Sequence, residues 1–267
     1  MPDLQKLAEG REAEIFAWQD GTVLRLMRSP DARPQVEWEQ RAMAAAAATG
    51  VRVPAVGEIA TVDGRPGLIM ERIDGPDMLT LIGRKPWTVW SVGRITGELH
   101  AAMHEAVAPA ELRPLRERLR ARIEGADLVS GPIAGAALRE LDSLPNGDRL
   151  CHGDFHPGNV LDAGGEHVVI DWTNVTRGDP TADYVRTVMM IRLGDPPPGS
   201  PVVIRVGARF LRRLLLSAYV RSYRRHAAID DALAARWLLP VGAARLREGI
   251  EVERPKLLAM LEPLVAR

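Results

Sequence analysis

One stretch limits what this chain can fold into more than any other: Cys151-His152-Gly153-Asp154-Phe155-His156-Pro157-Gly158-Asn159-Val160-Leu161. Pro157-Gly158 stops a helix or central strand from running through it, since proline lacks a backbone N–H and glycine is conformationally loose. The stretch is therefore a loop that hands over to a short apolar segment at Val160-Leu161. Asp154 has His152 two residues before it and Asn159 five residues after it. A second Asp, Asp171, stands twelve residues past Asn159, at the end of the apolar run Val168-Val169-Ile170. A loop carboxylate can receive or orient a hydroxyl proton. An Asn/Asp pair offers oxygen ligands that leave open positions on a hard cation such as Mg2+.

Two blander readings compete. His152-x-Asp154-x-His156 would serve as the metal-ligand strand of a hydrolase, because alternate strand residues face one way. Pro157-Gly158 ends any strand there, and that reading leaves Asn159 and Asp171 without a part. A purely structural loop, with Asp154 capping a turn, leaves the ordered spacing of the polar residues unexplained.

The pattern His152-Gly153-Asp154-x-His156-x-x-Asn159 resembles the loop of the aminoglycoside phosphotransferase and choline kinase group of protein-kinase-like enzymes. It keeps the spacing of the protein-kinase loop, with Gly153 between His and Asp. The resemblance implies an α+β, bilobal protein-kinase-like fold. A small N-terminal nucleotide-binding lobe with an antiparallel sheet and one helix would span 1–73, and a larger, mostly helical catalytic and substrate-binding lobe 74–267. It also implies ATP- and Mg2+-dependent transfer of the γ-phosphate to a hydroxyl of a small molecule. Asp154 would then be the catalytic carboxylate, with His152 bracing the loop, His156 lining the site, and Asn159 and Asp171 holding the metal.

Composition agrees with a globular enzyme. Of 267 residues, 46% are apolar and 26% charged, enough for one large core or two lobes. No apolar run approaches the roughly 20 residues of a membrane span, and no basic-then-apolar leader opens the chain, so no membrane partner is expected. The single cysteine, Cys151, excludes an internal disulfide and fits a reducing cytoplasm; it reads as a small buried hydrophobe. With 35 basic and 35 acidic residues there is no global field for nucleic acid. The charge is uneven, however. From Arg177 to Arg267 there are fifteen Arg and one Lys against nine Asp or Glu.

Along the chain, Ile15 and Ala17, then Val23, Leu24 and Leu26, predict two strands around an Asp20-Gly21 hairpin. By resemblance, Glu9-Gly10-Arg11-Glu12-Ala13 is the nucleotide loop, with Gly10 its one glycine, and Arg25 stands where the family fold places a phosphate-pairing Lys. Arg keeps the charge but changes reach and geometry; an exposed strand residue is the other reading. An Ala-dense helix is predicted over 35–49, where Glu39 is the candidate partner of Arg25 and Glu37 its competitor. Strands follow over 51–60 and 67–71 around the Asp63-Gly64 turn. Met70-Glu71-Arg72-Ile73 then resembles the hinge, where backbone groups from Met70, Glu71 and Ile73 would hold the adenine edge.

Helices are predicted over 87–104, 111–124, 134–144, 208–226, 232–238 and 246–265, with a break at Pro196-Pro197-Pro198-Gly199. In the 208–226 helix the stripe Phe210, Leu211, Leu214, Leu215, Tyr219 and Tyr223 is expected to cover a core. His100 and His104 lie one turn apart; with no third ligand evident they read as packing residues. Ala163-Gly164-Gly165 predicts a hairpin turn before the Val168 strand. Asp183 begins a helix that, by resemblance, ties it to the catalytic loop as structural support.

Among functions, a small-molecule kinase leads. A protein Ser/Thr kinase lacks support, because Asp171 is followed by Trp172-Thr173 and no Ala-Pro-Glu mark is present. A non-catalytic nucleotide-binding regulator is the third reading, prompted by Arg25. The Arg excess on the acceptor side disfavours polycations, which need carboxylate-rich pockets. The expected acceptor is a sugar, amino alcohol, nucleoside or aminoglycoside, with the neutral or weakly charged members preferred, and the protein is expected to be a monomer or homodimer.

Overall fold

The computed structural model describes residues 4–10, 12–19, 21–125, 131–194 and 201–265. Arg11 of the expected nucleotide loop, Asp20 of the first hairpin and the Pro196–Gly199 break lie outside the described residues. Contacts divide the chain into two compact units, Met1–Asp77 with Asn159–Asn174, and Met78–Gly158 with Val175–Arg267. The expected boundary at 73/74 is a single cut in the sequence, whereas the contacts also assign the returning segment 159–174 to the first unit.

The first unit begins with β1 (Lys6–Glu9), β2 (Ala13–Ala17) and β3 (Thr22–Met27), continues through α1 (Arg33–Ala47), and adds β4 (Val56–Val62) and β5 (Arg65–Glu71). The five strands form one antiparallel sheet in the order β1-β2-β3-β5-β4. Alternation in β3 sends Leu24 and Leu26 into the core with Val62, against Phe16, Trp18, Ala60 and Ile69, and leaves Arg25 on the other face. The β4–β5 hairpin turns on Asp63 and Gly64 at φ 50° and 75°, the left-handed pair that matches strand twist. Helix α1 buries Val36, Glu39, Ala42, Met43 and Ala46 at helical spacing. It starts two residues before the expected 35, because Pro34 is tolerated in a first turn, where the missing N–H has no partner to lose. Strand β4 runs over 56–62 and not 51–60. Strand β1, absent from the sequence reading, is exposed along its whole length, so it shows no apolar alternation.

The second unit is mostly helical. It opens with α2 (Met78–Arg84), α3 (Val89–Glu105), α4 (Leu115–Glu124) and α5 (Gly131–Ser143), then β6 (Arg149–Cys151). The chain next forms the hairpin β7 (Val160–Ala163) and β8 (Glu166–Val169), which belongs to the first unit. It continues with β9 (Thr176–Gly178), antiparallel to β6, then α6 (Pro180–Leu193), α7 (Val202–His226), α8 (Asp231–Leu246) and α9 (Arg254–Val265).

Helices α3 and α7 pack closely because α3 carries glycines at the contact. A Cβ on Gly97 would lie 2.5 Å from the Tyr219 carbonyl oxygen, and one on Gly93 2.7 Å from Ala218 Cβ. Helix α6 is buried on nearly every side, the mark of a central helix. Its start is fixed by Asp179, whose carboxylate accepts the Thr181 N–H at 2.8 Å, and by Pro180 in the first turn.

Several helix expectations need correction, among them the starts of α4, at Leu115 and not 111, and of α7, at Val202 and not 208. Helix α8 runs on through Pro240 to Leu246 and does not stop at 238, and α9 begins at Arg254, since 247–253 is a turn. On α7, Leu215, Tyr219 and Tyr223 are buried, but Phe210 is 61% exposed beside exposed Val202, Val203 and Val206, so only the C-terminal part of the stripe covers a core. Among the described residues no helix is long and apolar enough to cross a membrane.

Candidate active site

Each unit carries part of the residue set that the sequence singles out. In the first unit, Arg25 on β3 meets Glu39 on α1 at 2.5 Å. Glu37 pairs with Arg33 at 3.1 Å on the exposed side of α1. Glu39 is 2% exposed. Burial raises its carboxyl to about 7; Arg25 opposes the shift, while the negative charges of Asp171 and Glu12 add to it.

Asn159 and Asp171 come to one end of the β7–β8 hairpin. Pairing of Val160 with Val169 sets the register, and the Ile170 N–H then donates to the Asn159 carbonyl at 3.0 Å. Asp171 follows with φ 62°, a left-handed conformation unusual for a residue other than glycine and of the kind found at functional turns. Thr173 donates its hydroxyl to Asp171 Oδ1 at 2.6 Å, and buried Trp172 anchors the turn by donating Nε1–H to the Val169 carbonyl at 2.9 Å. Asn159 is 8% exposed. The two side chains supply hard oxygen donors from one short hairpin end, which suits Mg2+ better than softer metals.

The other first-unit candidates lie apart from this pair in their local contacts. Gly10 occupies the turn before β2, donating to the Ala13 carbonyl at 2.8 Å and accepting from Arg28 Nε at 3.3 Å. Met70 pairs with Val23 and Val56 across the sheet. The Glu71 carboxylate is gripped by Arg52 at 2.7 and 2.9 Å and by the Ala55 N–H at 2.9 Å, which lowers its pKa below the ordinary value despite partial burial. Its side chain is thus committed to holding the chain end of β5. Ile73 follows, half-buried, two residues past that strand.

In the second unit the loop around Asp154 is held from below by Asp183, one turn into α6. Asp183 Oδ2 accepts the His152 backbone N–H at 2.6 Å, and Oδ1 accepts that of Gly153 at 3.0 Å. Two ring nitrogens also reach Oδ2, His100 Nε2 at 3.2 Å and His104 Nε2 at 3.3 Å. Burial opposes a charge on Asp183, but the hydrogen bonds from His100 and His104 overcome it and keep the carboxyl well below its ordinary range.

An ionised carboxylate only accepts, so both Nε2 atoms carry the hydrogen. For His100, burial lowers the ring pKa to about 3, with His104 adding to the shift, so the ring is neutral and its Nδ1 accepts from the Tyr219 hydroxyl at 2.7 Å. His104 Nδ1 meets the Tyr223 hydroxyl at 2.6 Å. Burial pushes both phenols above their usual range, so they remain protonated.

The sequence left His100 and His104 with no third ligand. The structure supplies one in Asp183, with the three ligand atoms within 4.8 Å of one another. Hydrogen bonds to the loop backbone and to the tyrosines already account for these groups, so the cluster is a proton-satisfied anchor under the loop. Cys151, just before the loop, is fully buried and its thiol is pushed well above its ordinary value by burial, which makes it inert as a nucleophile.

His152 is buried, and its Nδ1 accepts the Asp154 N–H at 3.2 Å. The His156 ring is braced by the Gly158 N–H at 3.0 Å and places Nε2 3.9 Å from Asp154 Oδ2. Gly153 adopts φ 77°, which turns the chain between these two side chains.

Arg186, which sequence reasoning missed, grips both the peptide and the side chain of this loop. Its Nε donates to the Gly153 carbonyl, and its Nη2 reaches Asp154 Oδ1 at 3.2 Å. Glu248 holds the same Nη2 at 2.8 Å. Burial works against the charge on Arg186, but Glu248 and Asp154 outweigh it. A signal was present: an arginine among Tyr184, Val185, Thr187 and Met189, three residues after Asp183, lies on a mostly buried helix and must be paired. Glu248 sits in the turn after α8 and carried no such signal.

A two-unit α+β chain, with an antiparallel sheet and one helix before a helical unit that holds the Asp154 loop, defines a protein-kinase-like fold. Residues 3–228 match the model of the phosphotransferase enzyme family, and the chain belongs to that family. It is a phosphotransferase of the small-molecule kinase type, with an alcohol group as acceptor. No curated protein sequence matches it.

Several solved structures share the fold. A thermostable mutant of aminoglycoside phosphotransferase APH(4)-Ia, in ternary complex with AMP-PNP and hygromycin B, is 20% identical with a TM-score of 0.68, over 99% of this chain and 93% of that one. A putative fructosamine-3-kinase from Haemophilus somnus 129PT is 15% identical with a TM-score of 0.64, over 98% and 90%. A choline/ethanolamine kinase family protein from Mesorhizobium loti is 17% identical with a TM-score of 0.61, over 99% and 88%.

Proposed function

We propose that the enzyme transfers the γ-phosphate of ATP, in the presence of Mg2+, to a hydroxyl of a small molecule. The observation that carries this reading is the hydrogen bond from Ile170 N–H to the Asn159 carbonyl, which gathers two oxygen donors at one hairpin end, only five residues along the chain from Asp154. Asn159 and Asp171 would hold Mg2+, which when bound offsets charge on phosphate oxygens. Arg25, oriented by Glu39, would pair with phosphate oxygens as a planar fork, and Gly10 and the backbone of Met70, Glu71 and Ile73 would hold the rest of the nucleotide.

Asp154 receives and orients the acceptor hydroxyl. Arg186 and the Asp183 clamp hold it in position, so alignment supplies much of the rate enhancement. His152 fixes the loop and His156 lines the acceptor side of Asp154. Complexes of thermostable APH(4)-Ia mutants with AMP-PNP and with ADP support a nucleotide donor here.

ADP release from Mg-ATP across aminoglycosides, sugars, sugar phosphates, amino alcohols, hydroxy acids and nucleosides tests the proposal. Turnover with one acceptor class, dependent on Mg2+, is the expected result. ATP binding with no acceptor-dependent ADP release in any class would contradict it.

A further inference from the structure

The surroundings of Asp154 within its own unit are rich in guanidinium groups. Arg186 Nη2 joins Asp154 Oδ1 at 3.2 Å to Glu248 Oε1 at 2.8 Å. The same Glu248 oxygen takes Arg122 Nη1 at 2.8 Å, from α4. Glu248 Oε2 takes Arg245 at 3.0 Å, but Arg245 is committed to Glu253 through two further bonds at 2.7 and 2.9 Å. Three arginines therefore converge on Glu248, and with Asp154 and Glu253 these bonds balance three guanidinium groups against three carboxylates, so any further arginine is in excess.

Arg118, one turn before Arg122 on α4, adds to the crowd. Burial, followed by the like charges of Arg122, Arg186 and Arg113, lowers it to about 10, and Glu248 is the carboxylate that opposes the shift. The group is not sealed off. The side chains of Asp154 and Arg122 are each 24% exposed and that of Glu248 is 22%, and the Arg186 guanidinium joins Asp154 to Glu248. A site for a polycation would need the reverse balance.

We propose that the acceptor carries an anionic group, a carboxylate or a phosphate, beside the hydroxyl that meets Asp154, and that Arg122 and Arg118 bind that group. The inference rests on the reading of Asp154 as the acceptor-side carboxylate. Guanidinium forks pair with either anion through two parallel hydrogen bonds, and partial desolvation strengthens the contact. Glu248 would hold Arg122 in place, and Arg186 would keep Asp154 oriented next to it.

The test is titration calorimetry on the full chain saturated with Mg-ADP, using glycerate against its methyl ester, glycerol 3-phosphate against glycerol, and one aminoglycoside. At least one anionic member should bind tenfold or more tightly than its neutral counterpart, and which pair shows the difference tells carboxylate from phosphate. Arg122→Gln and Arg118→Gln should each cut that preference at least fivefold while Mg-ADP still binds. Equal binding within both pairs, no binding of either anion, tightest binding of the aminoglycoside, or a preference untouched by both substitutions would overturn the proposal. ADP release separates it from the phosphotransferase reading. Anion preference without phosphate transfer to any acceptor would sink that reading and leave the anion site standing, whereas transfer confined to neutral acceptors would do the opposite.

Discussion

The two units hold their key carboxylates in opposite ways. Glu39 in the first unit is buried with one cationic partner, and burial raises its carboxyl to about 7. Asp183 in the second is buried with four hydrogen-bond donors and stays well below the usual range. The number of donors decides the outcome: desolvation is similar, but only Asp183 is compensated on every side. Under the proposed function, the Arg25–Glu39 pair would be an adjustable contact, suited to a partner that arrives with phosphate. The Asp183 anchor is a fixed one, suited to a loop whose carboxylate must not wander.

The sharpest way to break this comparison is to remove the anchor. Asp183→Ala leaves the N–H groups of His152 and Gly153 and two buried imidazoles without their acceptor, and should cost about 3–5 kcal/mol in denaturant unfolding. A loss near that of a surface substitution would show that the loop is held elsewhere.

The next test uses pH, because the two units should respond with opposite sign. Glu39 keeps its proton in the fold up to about 7, while the unfolded chain releases it near the ordinary 4.5, so stability falls as pH rises between those values and is level above. His100 stays neutral in the fold down to about 3, while the unfolded chain takes up a proton near 6.5, so stability falls as pH drops between those values. At full extent the effect is about 3 kcal/mol for Glu39 and about 5 kcal/mol for His100. Unfolding curves from pH 4 to 8 should show the first slope vanish in Glu39→Gln and the second in His100→Gln. The same slope in both variants would erase the distinction between the units.

A smaller effect is expected from Tyr219→Phe, which takes the hydroxyl away from His100 Nδ1 and should cost about 1–2 kcal/mol. Arg33→Ala, which breaks the exposed pair with Glu37, should change stability by less than about 0.5 kcal/mol and sets the baseline.

The contrast also explains what could be read from the sequence. The loop was legible because its residues are fixed by chemistry at short spacing, and Pro157-Gly158 marks it as irregular. Asp183 was legible through its place at a helix start. Arg186 carried a signal that was missed, an arginine among apolar neighbours on a helix, but its partner Glu248 carried none, since the pair joins residues 62 apart and depends on how α6 meets the turn after α8. Strand β1 left no pattern because it is an exposed edge, and Phe210 misled because helical spacing alone does not say which part of a stripe is covered. The third partner of His100 and His104 comes from α6, about 80 residues away, beyond any local motif.

The most direct test of the assignment is Asp154→Asn, which keeps the shape of the side chain and removes its charge. Mg-ATP affinity and turnover should be measured on the same folded preparation. The account predicts nucleotide binding within about twofold of the parent and acceptor-dependent ADP release reduced by roughly 100-fold or more, the usual scale for loss of a positioned proton acceptor. Turnover within a fewfold of the parent would show that Asp154 does not carry the reaction.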